Sequence, residues 1–167
     1  MALSARADWK ESPGHLVEMQ VAPGVTIYDG ALVGIESGSG AASKSLVTKW
    51  SDSEDLIFFG LARVTPTSSG DTGDSITGTT VTTITSAELL STIGVDVSGV
   101  TLHGVTLGAV LTTMDQVGEL VYGTDDNVIT PTFSASPAIG WVSKIHSTSK
   151  VDVKLFTPGE ARAVPVA

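Results

Sequence analysis

The chain has 167 residues, of which 41% are hydrophobic and only 16% charged, with a formal net charge of −9 and no cysteine. That length suits one domain able to bury a core without staples. The acidic balance argues against holding nucleic acid through its phosphates, which takes clustered Lys and Arg, and against anionic membrane surfaces.

Without cysteine there is no disulfide framework and no thiolate or cysteine–zinc chemistry. The polar surface must be made from Ser, Thr, Gly and Asn, a composition that favours strands. Residues 1–20 carry Trp9, His15, charges of both signs and the breaker Pro13-Gly14, and are expected to form an extended N-terminal arm. Trp9 and His15 are its candidate contact residues, because an aromatic anchor buries much area for little entropy. The first residues lack the apolar core of a signal peptide. No stretch approaches the roughly 20 apolar residues of a membrane span, so a soluble protein made in the cytoplasm is expected.

A single β-domain is expected over 21–157. In it Asp29-Gly30 between apolar runs marks a tight turn, and 36–45 is a Gly/Ser/Ala-rich loop. Leu56–Val64 is the most apolar run and reads as a central strand, with Gly60 as a bend or a point of close approach. The region 65–99 reads as an insert: a polar loop over 65–80, a strand over 81–85, and one short helix over Ser86–Ile93, with Ser86 as N-cap and Gly94 as stop. Runs at 95–103 and 105–111 alternate like strands. The segment Gly118–Phe156 reads as a β-meander of three apolar runs, Glu119–Tyr122, Ile139–Ile145 and Val151–Phe156, joined by turns at 123–127 and 134–137. A period of two puts Val151, Val153 and Leu155 on one face and Asp152, Lys154 and Phe156 on the other. The tail, 158–167, is expected to be extended or loose. The fold class is therefore all-β, a small barrel or sandwich with one short helix.

An internal echo supports two related halves. Gly30-Ala31-Leu32-Val33 followed by Phe59-Gly60-Leu61-Ala62 matches Gly118-Glu119-Leu120-Val121 followed by Ile139-Gly140-Trp141-Val142.

No motif of the usual catalytic kinds accompanies these strands. His15, His103 and His146 have no zinc-ligand spacing and are expected at the surface or at interfaces. A triad of His146, Asp152 and one of many serines can be drawn, but no Gly-x-Ser-x-Gly elbow supports it. The carboxylates of Gly70–Ser75 and Gly123–Asn127 lack EF-hand spacing and read as solvated turns. Gly38-Ser39-Gly40 is not followed by the Gly-Lys-Ser/Thr of a P-loop. No enzyme, no cofactor and no metal site are expected.

The phrases Gly30–Val33, Phe59–Ala62, Gly118–Tyr122 and Ile139–Val142, followed by the alternating run Val151–Phe156, resemble the small capsid decoration (cement) proteins of tailed bacteriophages. The resemblance covers roughly 21–64 and 100–156; nothing matches over 65–99. It implies a β-tulip-like fold and a non-enzymatic protein on the outer surface of the virion's capsid, synthesised in the host cytoplasm. That protein would associate as homotrimers and clamp neighbouring major capsid proteins, with Trp9 and His15 as the contact residues of the arm. The alternative is a head-fibre, tail or spike component that binds host glycans, with Trp50, Trp141 and Tyr122 as a sugar-stacking face. A small hydrolase is a third class with no motif behind it.

Overall fold

A computed structural model describes residues 10–11, 15–36, 46–53, 55–63, 75–77, 92–133 and 136–163. Five strands close a barrel: β2 (Leu16–Val21), β4 (Leu32–Glu36), β5 (Leu46–Lys49), β6 (Leu56–Arg63) and β8 (Thr92–Asp96), in the order β2-β5-β4-β6-β8. The second sheet holds β1 (Lys10–Glu11), β9 (Thr101–Thr106), β10 (Leu120–Asp125), β11 (Val128–Thr130), β12 (Ala138–Ser147) and β13 (Lys150–Leu155), in the order β1-β9-β13-β12-β10-β11. A small ribbon pairs β3 (Thr26–Tyr28) with β7 (Ser75–Thr77). The one helix among the described residues is α1, Pro158–Ala163. It is far too short to cross a membrane, and no described helix is long and apolar enough to do so. The all-β class, with a barrel and one short helix, is as expected.

The echo in the sequence is an echo in the architecture. Walking across each sheet, β5-β4-β6-β8-β2 corresponds to β11-β10-β12-β13-β9, and both sets occur in the same chain order. Leu32 pairs with Leu61 and Val33 with Gly60, after which the register slips to Gly34–Phe58. In the second unit Leu120 pairs with Trp141 and Val121 with Gly140, and the register then slips to Tyr122–Ala138. Phe59 and Ile139 are thus the extra residues of equivalent bulges. The flanking bonds match as well: Gly30 N donates to Ala62 O (2.9 Å) as Gly118 N does to Val142 O (2.8 Å). The shared glycine has a steric cause. A Cβ on Gly60 would lie 2.2 Å from the Asp96 carbonyl oxygen, and one on Gly140 would lie 2.3 Å from that of Lys154. Close backbone approach at a bulge admits no side chain.

The units differ in closure. In the first, β2 meets β5 in parallel at Gln20–Leu46 and Val21–Val47, and Ala22 N donates to Val47 O (2.9 Å). The second keeps the equivalent last bond, Gly108 N to Ile129 O (2.8 Å), but the edge of β9 is taken by β1, with Lys10 opposite His103.

Val21, Ile27, Val33, Ile35, Val47, Ala62, Ile93 and Val95 fill the barrel. The larger core joins the second unit's interior to side chains that leave the barrel on its outer face: Leu32, Trp50, Leu56, Phe58 and Leu61. The apolar run of β6 is continuous because both faces of the strand are buried. Trp50 fastens the two units. It is fully buried, meets Phe58 edge-on at 5.7 Å, and donates from Nε1 to the Gly123 carbonyl at 2.7 Å.

Several expectations need correction. The arm does not extend to residue 20, because Leu16–Val21 is a barrel strand, and Lys10–Glu11 is paired as well. Of the helix expected over Ser86–Ile93, residues 86–91 lie outside the described set, as does the strand at 81–85; Thr92 and Ile93 belong to β8. The segment 65–99 contains β7 and β8, so part of it is barrel wall. Residues 107–111 form a loop, with β9 ending at Thr106. The Gly123–Asn127 turn is not simply solvated: Asp126 is buried, and its carbonyl accepts from Leu32 N at 2.7 Å. The tail is not loose over 158–163. Thr157 caps α1: its N–H donates to Glu160 Oε2 (2.7 Å) and its hydroxyl accepts from Glu160 N (3.3 Å), a capping box with Pro158 at the first helical position.

Candidate functional site

Of the residues singled out in the sequence, Trp9 and the Gly38–Gly40 loop lie outside the described residues. His15 is exposed at the start of the barrel, where its carbonyl accepts from Val97 N (2.9 Å). The three aromatics of a sugar-stacking face do not form one, because Trp50 is fully enclosed. Tyr122 is half-buried and packs edge-on against the exposed Phe133.

The structure does bring His146 and Asp152 together, and adds His103. Asp152 projects from β13 on the face opposite the core residues Val151 and Val153, yet it is only 7% exposed. Both neighbouring strands break register beside it. On β12 the pairing skips Ser143, between Val142–Val153 and Lys144–Asp152. On β9, three residue steps from Leu102 to Val105 span two steps of β13. Gly104, at φ 65°, supplies that bulge, a left-handed conformation that glycine adopts without penalty. The bulge turns the Gly104 N–H out of the ladder and onto Asp152 Oδ1 at 2.8 Å. His146 Nε2 reaches the same oxygen at 2.8 Å, and His103 Nδ1 reaches Oδ2 at 3.2 Å.

Burial pushes the Asp152 carboxyl up, but the Gly104 amide, the two imidazoles and the charge on His146 outweigh it and hold the group down at about 2. An acceptor-only carboxylate orders both imidazoles as donors. The ring nitrogen that each histidine keeps free, Nε2 of His103 and Nδ1 of His146, is the one left for other partners. Lys144 and Lys150 complete a surface bowl of about 460 Å³ with His103, Gly104, His146 and Asp152. The Lys150 stem crosses Gly104, where an added Cβ would lie 3.2 Å from Cε.

This constellation is half a triad. Among the described residues no serine or threonine is bonded to the second nitrogen of either histidine; Ser147, next to His146, turns its hydroxyl to Ser149 Oγ (3.4 Å), and Ser143 donates to the Asp152 carbonyl (3.1 Å). No group of three or more metal-ligating side chains is arranged to hold an ion among the described residues. What the geometry offers is two oriented imidazoles and two lysines around one buried carboxylate.

Apolar side chains are exposed elsewhere: Leu16, Val110, Met114, Val117 and Phe133 are each more than half exposed. Three of them lie in the loop between β9 and β10. That loop is tied down by Leu107 N to Ser149 O (2.9 Å), by Leu111 N to Thr148 O (2.7 Å), and by Gln116 Oε1, which accepts from Thr112 Oγ1 and Thr113 N at 3.0 Å each.

Sequence reading found His146 and Asp152 as an imaginable pair and missed His103. The signal for it was the Leu-His-Gly-Val phrase, in which a glycine interrupts an alternating strand beside a polar residue, the mark of a bulge. Comparison of the chain with protein-family models, with curated proteins and with solved structures found no match.

Proposed function

We propose that this protein is a non-enzymatic structural component of a tailed-phage virion, one that binds the outer surface of the capsid, as homotrimers, and cements neighbouring major capsid proteins. One observation carries the reading. The phrases by which the sequence resembles decoration proteins, Gly118–Tyr122, Ile139–Val142 and Val151–Phe156, fall on β10, β12 and β13, which lie side by side. The same phrase recurs in register at β4 and β6. The ordered loop that presents Val110, Met114 and Val117 is the kind of apolar, shape-determined surface through which subunits adhere.

The test uses capsid shells assembled without the protein. Purified protein added to them is expected to co-sediment at a saturating stoichiometry in multiples of three and to raise the temperature at which the shells disrupt. Shells that bind none of it at saturation sink the proposal. Light scattering of the protein alone reports whether the trimer forms before binding or on the shell.

A further inference from the structure

We infer that the bowl around Asp152 is a binding site for an oxyanion, a carboxylate or phosphate group presented on a small body, held by Lys144 and Lys150 and, in their imidazolium form only, by the second ring nitrogens of His103 and His146. The inference does not depend on a capsid role. It rests on how the charges are partnered. Among the described residues Asp152 is the one carboxylate lining the bowl, and its contacts are to other groups: Oδ1 takes the Gly104 amide and His146 Nε2, and Oδ2 takes His103 Nδ1. Neither Lys144 nor Lys150 is in an ion pair among the described residues.

The result is a cationic island on a chain whose net charge is −9. Two ammonium groups with no ion-pair partner among the described residues line the same concavity as two imidazoles already fixed in orientation. Orienting the rings in advance lowers what a ligand must spend on ordering them, which is how a shallow site gains affinity. A body beyond the bare ion is implied by size. At about 460 Å³ the bowl falls in the lower part of the range of small-molecule sites, roughly 300–1,000 Å³, and one phosphate or carboxylate fills only part of it. Asp152 is a positioning residue here: it acts through the imidazoles, and its own charge opposes an anion, which the lysines must outweigh.

The experiment is an NMR titration of the full chain, with inorganic phosphate and citrate as separate probes at constant ionic strength, and with chloride as the control. The expected result is saturable shifts confined to the Gly104 amide, the two imidazoles and the Lys144 and Lys150 side chains, with citrate tighter than phosphate. Lys144→Gln and Lys150→Gln are each expected to weaken binding about fivefold to tenfold, the loss of one charge-assisted contact. Lys154→Gln, outside the bowl, should leave it unchanged. Phosphate binding at least as tightly as citrate would still support the anion site but assign it to phosphate groups. Shifts that chloride reproduces, that do not saturate, or that persist undiminished in the Lys144→Gln/Lys150→Gln double variant overturn the inference.

Discussion

The contact between the two units makes a quantitative prediction at one carbonyl. Two buried side chains converge on Gly123 O: Trp50 Nε1 at 2.7 Å and Ser136 Oγ at 3.0 Å. Trp50→Phe keeps an aromatic ring against Phe58 but deletes the donor and part of the volume. Its cost is about 1 kcal/mol for the hydrogen bond plus about 1–2 kcal/mol for the incompletely refilled space. Ser136→Ala deletes only the hydroxyl, at about 1 kcal/mol. In each single variant the carbonyl still has one side-chain donor. In the double variant it has neither, and the penalty for a buried acceptor stripped of partners, about 1–3 kcal/mol, appears for the first time. Urea unfolding at equilibrium, followed by far-UV circular dichroism so that loss of the indole does not alter the probe, should show the double variant about 1–2 kcal/mol less stable than the sum of the singles. Additivity to within about 0.5 kcal/mol, the behaviour of independent sites, would refute the claim that these two donors share one acceptor.

Gly60→Ala and Gly140→Ala should each destabilise by about 1–3 kcal/mol or more, since the added methyl meets a backbone oxygen that cannot rotate away; calorimetry checks this, and a neutral result at either position breaks the equivalence of the two bulges. Asp152, held near 2 in the folded chain, lies below its ordinary unfolded value of about 3.9. Its contribution is thus full above about pH 4 and is lost as pH falls through the folded value. Asp152→Asn should therefore be less stable at neutral pH and converge on the wild type as pH approaches 2, and urea midpoints that run parallel across that window contradict the assignment. Thr157→Ala should cost about 1 kcal/mol and raise hydrogen exchange first over α1, whose Ala161 N–H donates to the Thr157 carbonyl; unchanged exchange there removes Thr157 as the cap.

The strand framework was legible wherever one strong local signal acted alone. Asp29-Gly30 makes the turn, with Gly30 at φ 77°. The strict alternation of Val151, Val153 and Leu155 marks three core residues. Gly60 proved a point of close approach for the reason its placement in an apolar strand suggested. The failures came where two signals competed or where partners were distant. Ser86-Ala87-Glu88 reads as a helix start, but Thr92 and Ile93 are drawn into β8 by pairing with Gln20 and Met19, which no local propensity reports. The helix among the described residues, α1, is announced by the capping box Thr157-Pro158-Gly159-Glu160, but Pro and Gly near a terminus also read as a loose tail. The bowl was the least legible part. Its residues come from three strands, and what joins them is a pair of bulges whose effect is spatial.

Comparing the two units separates what folding requires from what it does not. Counting along β8 and β13 from Val95 and Val153, which both pair with the residue after the large side chain that follows the shared glycine, Asp152 stands where the first unit has Gly94. In the first unit that position is regular: Gly94 pairs with Arg63 on one side and Glu18 on the other. In the second, both flanking strands carry an extra residue there, and a buried carboxylate fills the space. Each bulge forgoes regular ladder pairing, and a buried carboxylate is costly unless its partners are supplied. The first unit has neither at the equivalent position, where Gly94 stands, and buries its carboxylates elsewhere, at Asp29 and Asp96. Positions that agree between the units, the glycines at 60 and 140 and the bulges at 59 and 139, are explained by strand packing alone. The Asp152 bulges have no counterpart in the first unit, whose equivalent strands pair regularly there. A departure from the shared framework of this kind is where local consistency gives way to function. On that ground the His103–Asp152–His146 face, rather than the shared strand phrases, is where substitutions should alter what the protein binds while leaving its fold intact.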